Sequence, residues 1–438
     1  MTIKPRQLFS SRTATVLSLI GVAVGLGNVW RFPYMMGRYG GSAFLFVYLA
    51  FTALFAIPAL TGEIALGRAT RKGPVGALSD AFGARAGLPI GLLLLVTILV
   101  ADSYYVVVIA NVAYSFWVGV THGFSPTAQS DLQAGLADGT LQYVIAIGIL
   151  IISLYVIYSG LKKGIERIST IFVPFFWLST VALIVGALSL PGAFAKVEAF
   201  LRPDFSAMRP VDFFAAMGQS IYSLGLGGTF MVVYGGYIAR DTSIAKTAIG
   251  TAAGNAGASL LSALFIVPTA LVFGMNMTQG PRLIFETLPH LFHRLPFGGV
   301  LGAAFLGGLI MVAFLSNAAA LEVLYAGAED LPGKQVSGGR RLAVIGVILA
   351  VLIAPSAFHP SLIAYLDLIF GSGMQALGCA FAVIGLAWGL GRSDTLRELF
   401  GAGAGRWQGA YYQWLRWAVP GVLLLALAGY VYQSIATA

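Results

Sequence analysis

Two long apolar segments, each broken by clustered glycines, constrain this chain more than any other feature. The first reads Gly21-Val22-Ala23-Val24-Gly25-Leu26-Gly27-Asn28 and continues Val29-Trp30-Arg31-Phe32-Pro33. The second reads Ser223-Leu224-Gly225-Leu226-Gly227-Gly228. The 438 residues are 58% hydrophobic and only 10% charged, which is the composition of a polytopic membrane protein and not of a soluble domain. A helix in hydrocarbon cannot leave backbone N–H and C=O groups unpaired, so such breaks survive only where they line a protein-enclosed cavity. Matched broken spans in the two halves of a chain point to a secondary transporter with its binding site near the bilayer midplane.

Hydropathy and length give eleven spans, at about 13–37, 42–66, 88–119, 140–160, 167–190, 212–238, 245–275, 298–328, 341–355, 359–390 and 414–435. The ninth is short. The broken spans are the first and the sixth, so two five-span units each begin with a broken helix, and the odd count inverts one against the other. The expected fold is an all-α integral membrane protein made of two inverted five-helix repeats, with discontinuous helices 1 and 6 and an added eleventh helix. It forms one domain over residues 1–438, with a first repeat over about 13–190, a second over about 212–390 and the extra helix over about 414–435. With the N-terminus in the cytoplasm, nineteen of the Lys and Arg residues fall on inside segments and five on outside ones. That bias puts the N-terminus inside, the C-terminus outside and the protein in the cell inner (plasma) membrane. The net charge of +9 therefore orients the chain against the lipid bilayer and does not mark a nucleic-acid partner. The first apolar run is too long, and lacks the site, for a cleaved signal peptide. Cys379 is the only cysteine, which excludes an internal disulfide and reads as an inert buried thiol. Nothing in the pattern fixes an oligomeric state.

Unwinding at Gly25-Leu26-Gly27 frees carbonyls from Ala23 and nearby residues, and it frees N–H groups at the start of the next half-helix. The carbonyls suit a hard, dehydrated cation such as Na⁺, and the N–H groups suit a carboxylate. Asn28 adds a neutral oxygen. The alternative is that these glycines serve helix packing, but Gly25, Gly27 and Asn28 crowd more closely than a packing face needs.

At these residues the chain resembles the neurotransmitter:sodium symporter family. Gly21-x-Ala23-Val24-Gly25-Leu26-Gly27-Asn28-x-x-Arg31-Phe32-Pro33, then Gly40-Gly41 and Ala43-Phe44, is similar to its first-span signature nearly residue for residue. Gly218-Gln219-x-x-Tyr222-Ser223-Leu224-Gly225-x-Gly227 and Tyr104-Tyr105 extend the likeness. It implies no enzyme but Na⁺-coupled amino-acid uptake by alternating access. One Na⁺ falls to the Ala23 carbonyl, Asn28, Ser223, Asn255 and the substrate carboxylate. A second falls to the Gly21 and Val24 carbonyls with span-eight groups. There Leu315 stands at the usual hydroxyl position, leaving Ser316. Gly25 leaves room for a carboxylate where amine carriers place an aspartate, and Tyr105 donates to that carboxylate. The pocket is expected from Val22, Gly25, Leu26, Gly27, Ala101, Tyr105, Tyr222, Ser223, Gly225, Gly228 and Ala320. Gly228 replaces a large apolar residue, so the substrate expected is a bulky apolar or aromatic amino acid, unless neighbours or water fill the space. Tyr48, Gln219, Ser223, Asn255 and Ser259 match the set that holds Cl⁻ in chloride-dependent members; Ser259 stands where chloride-independent bacterial members place an acid. Arg31 with Asp367 is the implied outer gate. Arg6 with Asp330, near Tyr237, is the implied inner one, and Phe9 stands where the family prefers tryptophan.

Asp102 lies three residues before Tyr105, near the same helix face. An intramembrane carboxylate is costly, and function is its default reading. It meets a polar substrate group, joins proton traffic, or sits at the wet edge of the pathway bonded to a hydroxyl. Glu63 reads as a structural hydrogen-bond hub. His290 and His293 have no carboxylate in register and do not make a metal pair. Two rivals to the symporter remain on the sequence: a non-transporting amino-acid sensor on the same scaffold, and an uncoupled channel.

Overall fold

The computed structural model describes residues 7–275, 283–331, 336–401 and 405–436. Among them every regular element is helical. Eight helices are long and apolar enough to cross a membrane, or nine when one bent pair counts as a single span. The bent pair is the first span: Arg12–Ala23 and Gly27–Arg38 meet at 64°. The Ser11 side chain caps its start by accepting from the Ala14 N–H at 3.1 Å. Val24 then turns extended. The second piece opens with a widened turn in which the Phe32 N–H reaches back five residues to the Gly27 carbonyl.

The unbroken spans are Ser42–Thr70, Ala84–Thr121, Gly139–Tyr158, Leu161–Leu188, Ile244–Val272, Gly298–Glu329, Gly338–Phe358 and Ser361–Gly389. The ninth, expected as a short piece, is a full crossing of 21 residues. The sixth is broken as expected, into Pro210–Tyr222 and Phe230–Gly235. The eleventh is helical from Arg406 through Ala436.

The surface is inverted relative to a soluble protein. Val96, Ile151, Leu178, Val347 and Val351 point outward, while Asn28, Glu63, Asp102, Gln219, Asn255 and Asn317 are buried. Lipid satisfies the first set, and only protein partners can satisfy the second. Spans that correspond between the two halves touch one another: first with sixth, second with seventh and third with eighth. This is what two inverted repeats about an axis in the membrane plane produce. The two breaks therefore face each other at the centre.

Candidate functional site

The breaks open onto a cavity of about 120 Å³, several times the space one ordered water needs. Spans one, three, six, eight and ten wall it. Ten of the expected substrate residues line it: Val22, Gly25, Leu26, Gly27, Ala101, Tyr105, Tyr222, Ser223, Gly225 and Ala320. Glycine at 25 is what lets two hydroxyls approach the break. A Cβ there would lie 3.0 Å from the Tyr105 hydroxyl and 3.2 Å from Ser316 Oγ.

Gly228 is a correction, because it does not line the cavity. A Cβ on it would collide with the ring of Phe230, and that ring forms the wall instead. Thr229 adopts a left-handed conformation, φ 56°, which returns Phe230 toward the break. The room expected beside Gly228 is filled by a neighbour.

At the proposed first cation position, Asn28 Oδ1 accepts from the Gly25 N–H at 2.9 Å. Asn28 Nδ2 donates to Asn255 Oδ1 at 2.7 Å and to Ser259 Oγ at 2.8 Å. The same Asn255 amide position lies 2.8 Å from the Ser223 carbonyl oxygen and 3.3 Å from that of Ala23. With oxygen there, three oxygens crowd together with no donor among them except Asn28, an arrangement a hard cation reconciles. With the amide turned, its NH₂ reaches both carbonyls but lies 2.7 Å from Asn28 Nδ2, which is also a donor. The oxygen set fits Na⁺.

The second set is thinner. Ser316 Oγ is 3.3 Å from the Val22 carbonyl and 3.4 Å from that of Val24, and it also faces the cavity. Opposite Gly21 lies the Leu315 side chain, whose Cδ1 would be 2.8 Å from a Cβ at that position. Ser169 Oγ is next, at 3.4 Å.

The five residues of the expected anion set are gathered on this flank. Tyr48 and Ser223 hydroxyls are 3.2 Å apart, and Asn255 Nδ2 lies 3.1 Å from Ser223 Oγ and 3.5 Å from the Tyr48 hydroxyl. Ser259 receives from Asn28. Gln219 is fully buried, yet neither of its amide atoms has a protein partner. A buried amide in that state has a donor to spare.

Each member of the expected outer gate pair has a hydrogen-bond partner of its own. The Arg31 guanidinium lies 4.1 Å from the Tyr222 ring centroid and donates to Ser372 Oγ at 3.1 Å. Asp367 instead accepts from the Tyr104 hydroxyl at 3.0 Å. The span-ten carboxylate is thus held by span three, and Arg31 by the aromatic beside the sixth break. At the other end Arg6 lies outside the described residues. Asp330 caps the helix Pro74–Phe82, accepting from the Gly73 and Gly76 N–H groups at 3.2 and 2.7 Å. Tyr237 donates to Glu322, and its carbonyl accepts from the Phe9 N–H at 3.0 Å. Arg71 clamps the Gly236 and Ile238 carbonyls.

Asp102 is 2% exposed and lines the cavity. Its partner is Asn317 Nδ2 at 2.8 Å and not a hydroxyl at a wet edge. Glu63 accepts from the Gly227 N–H at 2.7 Å, which ties the second span to the sixth break. Four lining residues were not foreseen, Ile98, Phe230, Gly371 and Gln375, and neither was Asn317, the partner of Asp102. An asparagine in the middle of the apolar eighth span was the available signal for the last. Phe230 needed the turn at Thr229, and Gln375 needed the packing of span ten.

The model of the Sodium:neurotransmitter symporter family matches residues 6–131 and 124–435. The uncharacterized sodium-dependent transporter YhdH of Bacillus subtilis is 27% identical over 96% of this chain and 97% of its own length. The sodium- and chloride-dependent GABA transporter ine of Drosophila melanogaster is 26% identical over 97% of this chain and 50% of its own. Among solved structures, MhsT in complex with L-phenylalanine superposes with a TM-score of 0.87 at 28% identity, covering 97% of this chain and all of that one.

Proposed function

Because this chain belongs to the sodium:neurotransmitter symporter family, we propose that it is a sodium-coupled importer of amino acids, bulky and apolar or aromatic, working by alternating access. The observation that carries this reading is the gap between the two breaks, where Gly25, Asn28, Tyr105 and Ser223 line one cavity. The substrate carboxylate sits at that gap, takes the Tyr105 hydroxyl and the N–H groups after the break, and shares its charge with Na⁺. Neither ligand is then left as a lone charge in low dielectric. The substrate side chain lies among Val22, Ile98, Ala101, Phe230 and Ala320. MhsT, of similar fold, was solved with phenylalanine, which supports an aromatic substrate.

The whole chain acts as one domain of two inverted repeats plus the eleventh helix. It sits in the plasma membrane with its N-terminus cytoplasmic and its C-terminus outside, so the membrane potential adds about 2.3 kcal/mol per 100 mV for each Na⁺ carried inward. Gly21, Val24 and Ser316 supply a second, weaker cation site. Tyr48, Gln219, Ser223, Asn255 and Ser259 hold Cl⁻, whose charge offsets that of the bound Na⁺. The spare donor on Gln219 supports this. Arg31 and Asp367 close above the substrate on its arrival, and Arg6, Asp330 and Tyr237 close the inner side.

The deciding experiment is uptake into proteoliposomes under an inward Na⁺ gradient. Radiolabelled tryptophan and leucine are compared with alanine, with and without Cl⁻. Accumulation of the bulky substrates that requires both ions is expected. Accumulation indifferent to Cl⁻ removes the anion site alone. Binding without accumulation would establish a sensor, and non-saturating flux a channel.

A further inference from the structure

Two cavity-lining residues carry a buried acceptor that the transport cycle described above does not use, Gln375 Oε1 on span ten and Asp102 Oδ2 on span three, and only the second is a carboxylate. Asp102 projects from span three into the cavity wall, one helical turn from Tyr105. Its Oδ1 is committed to Asn317 Nδ2, and Asn317 Oδ1 in turn accepts from Ser153. That chain fixes the carboxyl between spans three, four and eight. Its Oδ2 is buried with no partner at all. An acceptor left open in a membrane interior is costly unless something fills it part of the time. Around it the wall is apolar: Ile98, Ala101, Ala320 and Phe230.

Resting on the reading of an amino-acid carrier, we propose that Asp102 is a specificity-determining residue that accepts a hydrogen bond from a donor on the far end of an aromatic substrate side chain. The substrate class is an aromatic amino acid bearing a ring N–H or O–H, an indole or a phenol. Apolar walls fit the ring, and the open Asp102 oxygen fits its donor. An ammonium brings three donors and a guanidinium five, more than that oxygen can satisfy by itself. A site built around one such bond discriminates strongly against an isostere that lacks the donor, because the acceptor is then stranded.

The test uses wild-type full-length protein and two ligands of nearly equal shape, tryptophan and its benzothienyl analogue, in which sulfur replaces the ring N–H. Na⁺-dependent binding and uptake of both are measured, with lysine as a further competitor. Tryptophan is expected to bind roughly ten- to a hundredfold more tightly than the analogue. In Asp102→Ala the ratio should collapse toward one, mainly through weaker tryptophan binding. Equal affinities in the wild-type protein, a ratio unchanged by Asp102→Ala, or preference for lysine would each overturn the proposal while leaving a Na⁺-coupled carrier intact. Absence of Na⁺-dependent uptake of every ligand would overturn the carrier reading itself, and this proposal with it. The comparison of ligands on the unmodified protein stands even if the variant fails to fold.

Discussion

Two glycines of the sixth break, two residues apart, separate backbone strain from close approach. Both adopt positive φ, +62° at Gly225 and +84° at Gly227. A side chain at either position therefore costs about 1–2 kcal/mol in conformation alone. At Gly225 the nearest atom to a new Cβ is Phe230 Cδ2 at 3.7 Å, an ordinary contact. At Gly227 the new Cβ would overlap the Gln375 carbonyl, with the carbonyl carbon at 2.5 Å and the Cys379 nitrogen at 2.8 Å. These are backbone atoms of span ten and cannot rotate away. Relief requires the break to shift by about 1 Å, which adds about 1–3 kcal/mol of overpacking. The shift also pulls the Gly227 N–H from Glu63, a buried carboxylate, at about 1–3 kcal/mol. Gly227→Ala should therefore lose about 3–8 kcal/mol, against about 1–2 for Gly225→Ala. Thermal unfolding of the detergent-purified proteins, followed by size-exclusion fluorescence, measures the contrast. Gly225→Ala should stay within a few degrees of wild type, and Gly227→Ala should fall well below it or fail to give a monodisperse peak. Equal melting of the two variants would refute the claim that span ten is seated directly on the backbone of the break.

Three other outcomes follow from the same geometry. Tyr105→Phe removes one oxygen beside Gly25 and should weaken Na⁺-dependent substrate binding roughly ten- to a hundredfold with the melting temperature nearly unchanged; equilibrium binding of labelled substrate checks it. Ser259→Glu places a fixed negative charge in the anion set, so uptake by this variant should no longer respond to removal of Cl⁻ while the wild type loses uptake. Phe230→Leu shrinks the ring that fills the space at Gly228, and a competition panel should show relaxed selectivity, with larger aromatic ligands gaining relative to phenylalanine.

The two breaks were legible because glycine clusters at mid-depth have one physical explanation in lipid, and the all-helical plan followed from them. Contacts inside the site were less legible, and each for a nameable reason. The space beside Gly228 depends on a left-handed Thr229 that turns Phe230 back on the break, and no local pattern announces a threonine in that conformation. The partner of Asp102 lies more than two hundred residues away at Asn317, a pairing set by how spans three and eight pack and not by spacing. Arg31 had two aromatic and hydroxyl partners within reach besides Asp367, and which of them it takes depends on side-chain rotamers. Glu63, by contrast, was readable as a hub because a carboxylate in lipid demands donors, and the freed N–H groups of a broken helix are the nearest supply.

The unequal fastening of the two ends bears on how the carrier cycles. Toward the N-terminal side, Arg71 holds two backbone carbonyls just after the sixth break, Tyr237 holds Glu322, and Ser10 holds Glu166. Several of these are bonds to charged groups, about 1.5–3 kcal/mol each when well buried. On the other side Arg31 contributes a cation–π contact, worth about 0.5–2 kcal/mol, and one hydrogen bond, and Asp367 takes a single bond from Tyr104. Under the proposed orientation, the outer side is the easier to open and close, and the inner side needs a larger input. The Asn255 side chain touches both breaks, Asn28 of the first at 2.7 Å and Ser223 of the sixth at 3.1 Å, so a cation held beside it would act on both segments at once.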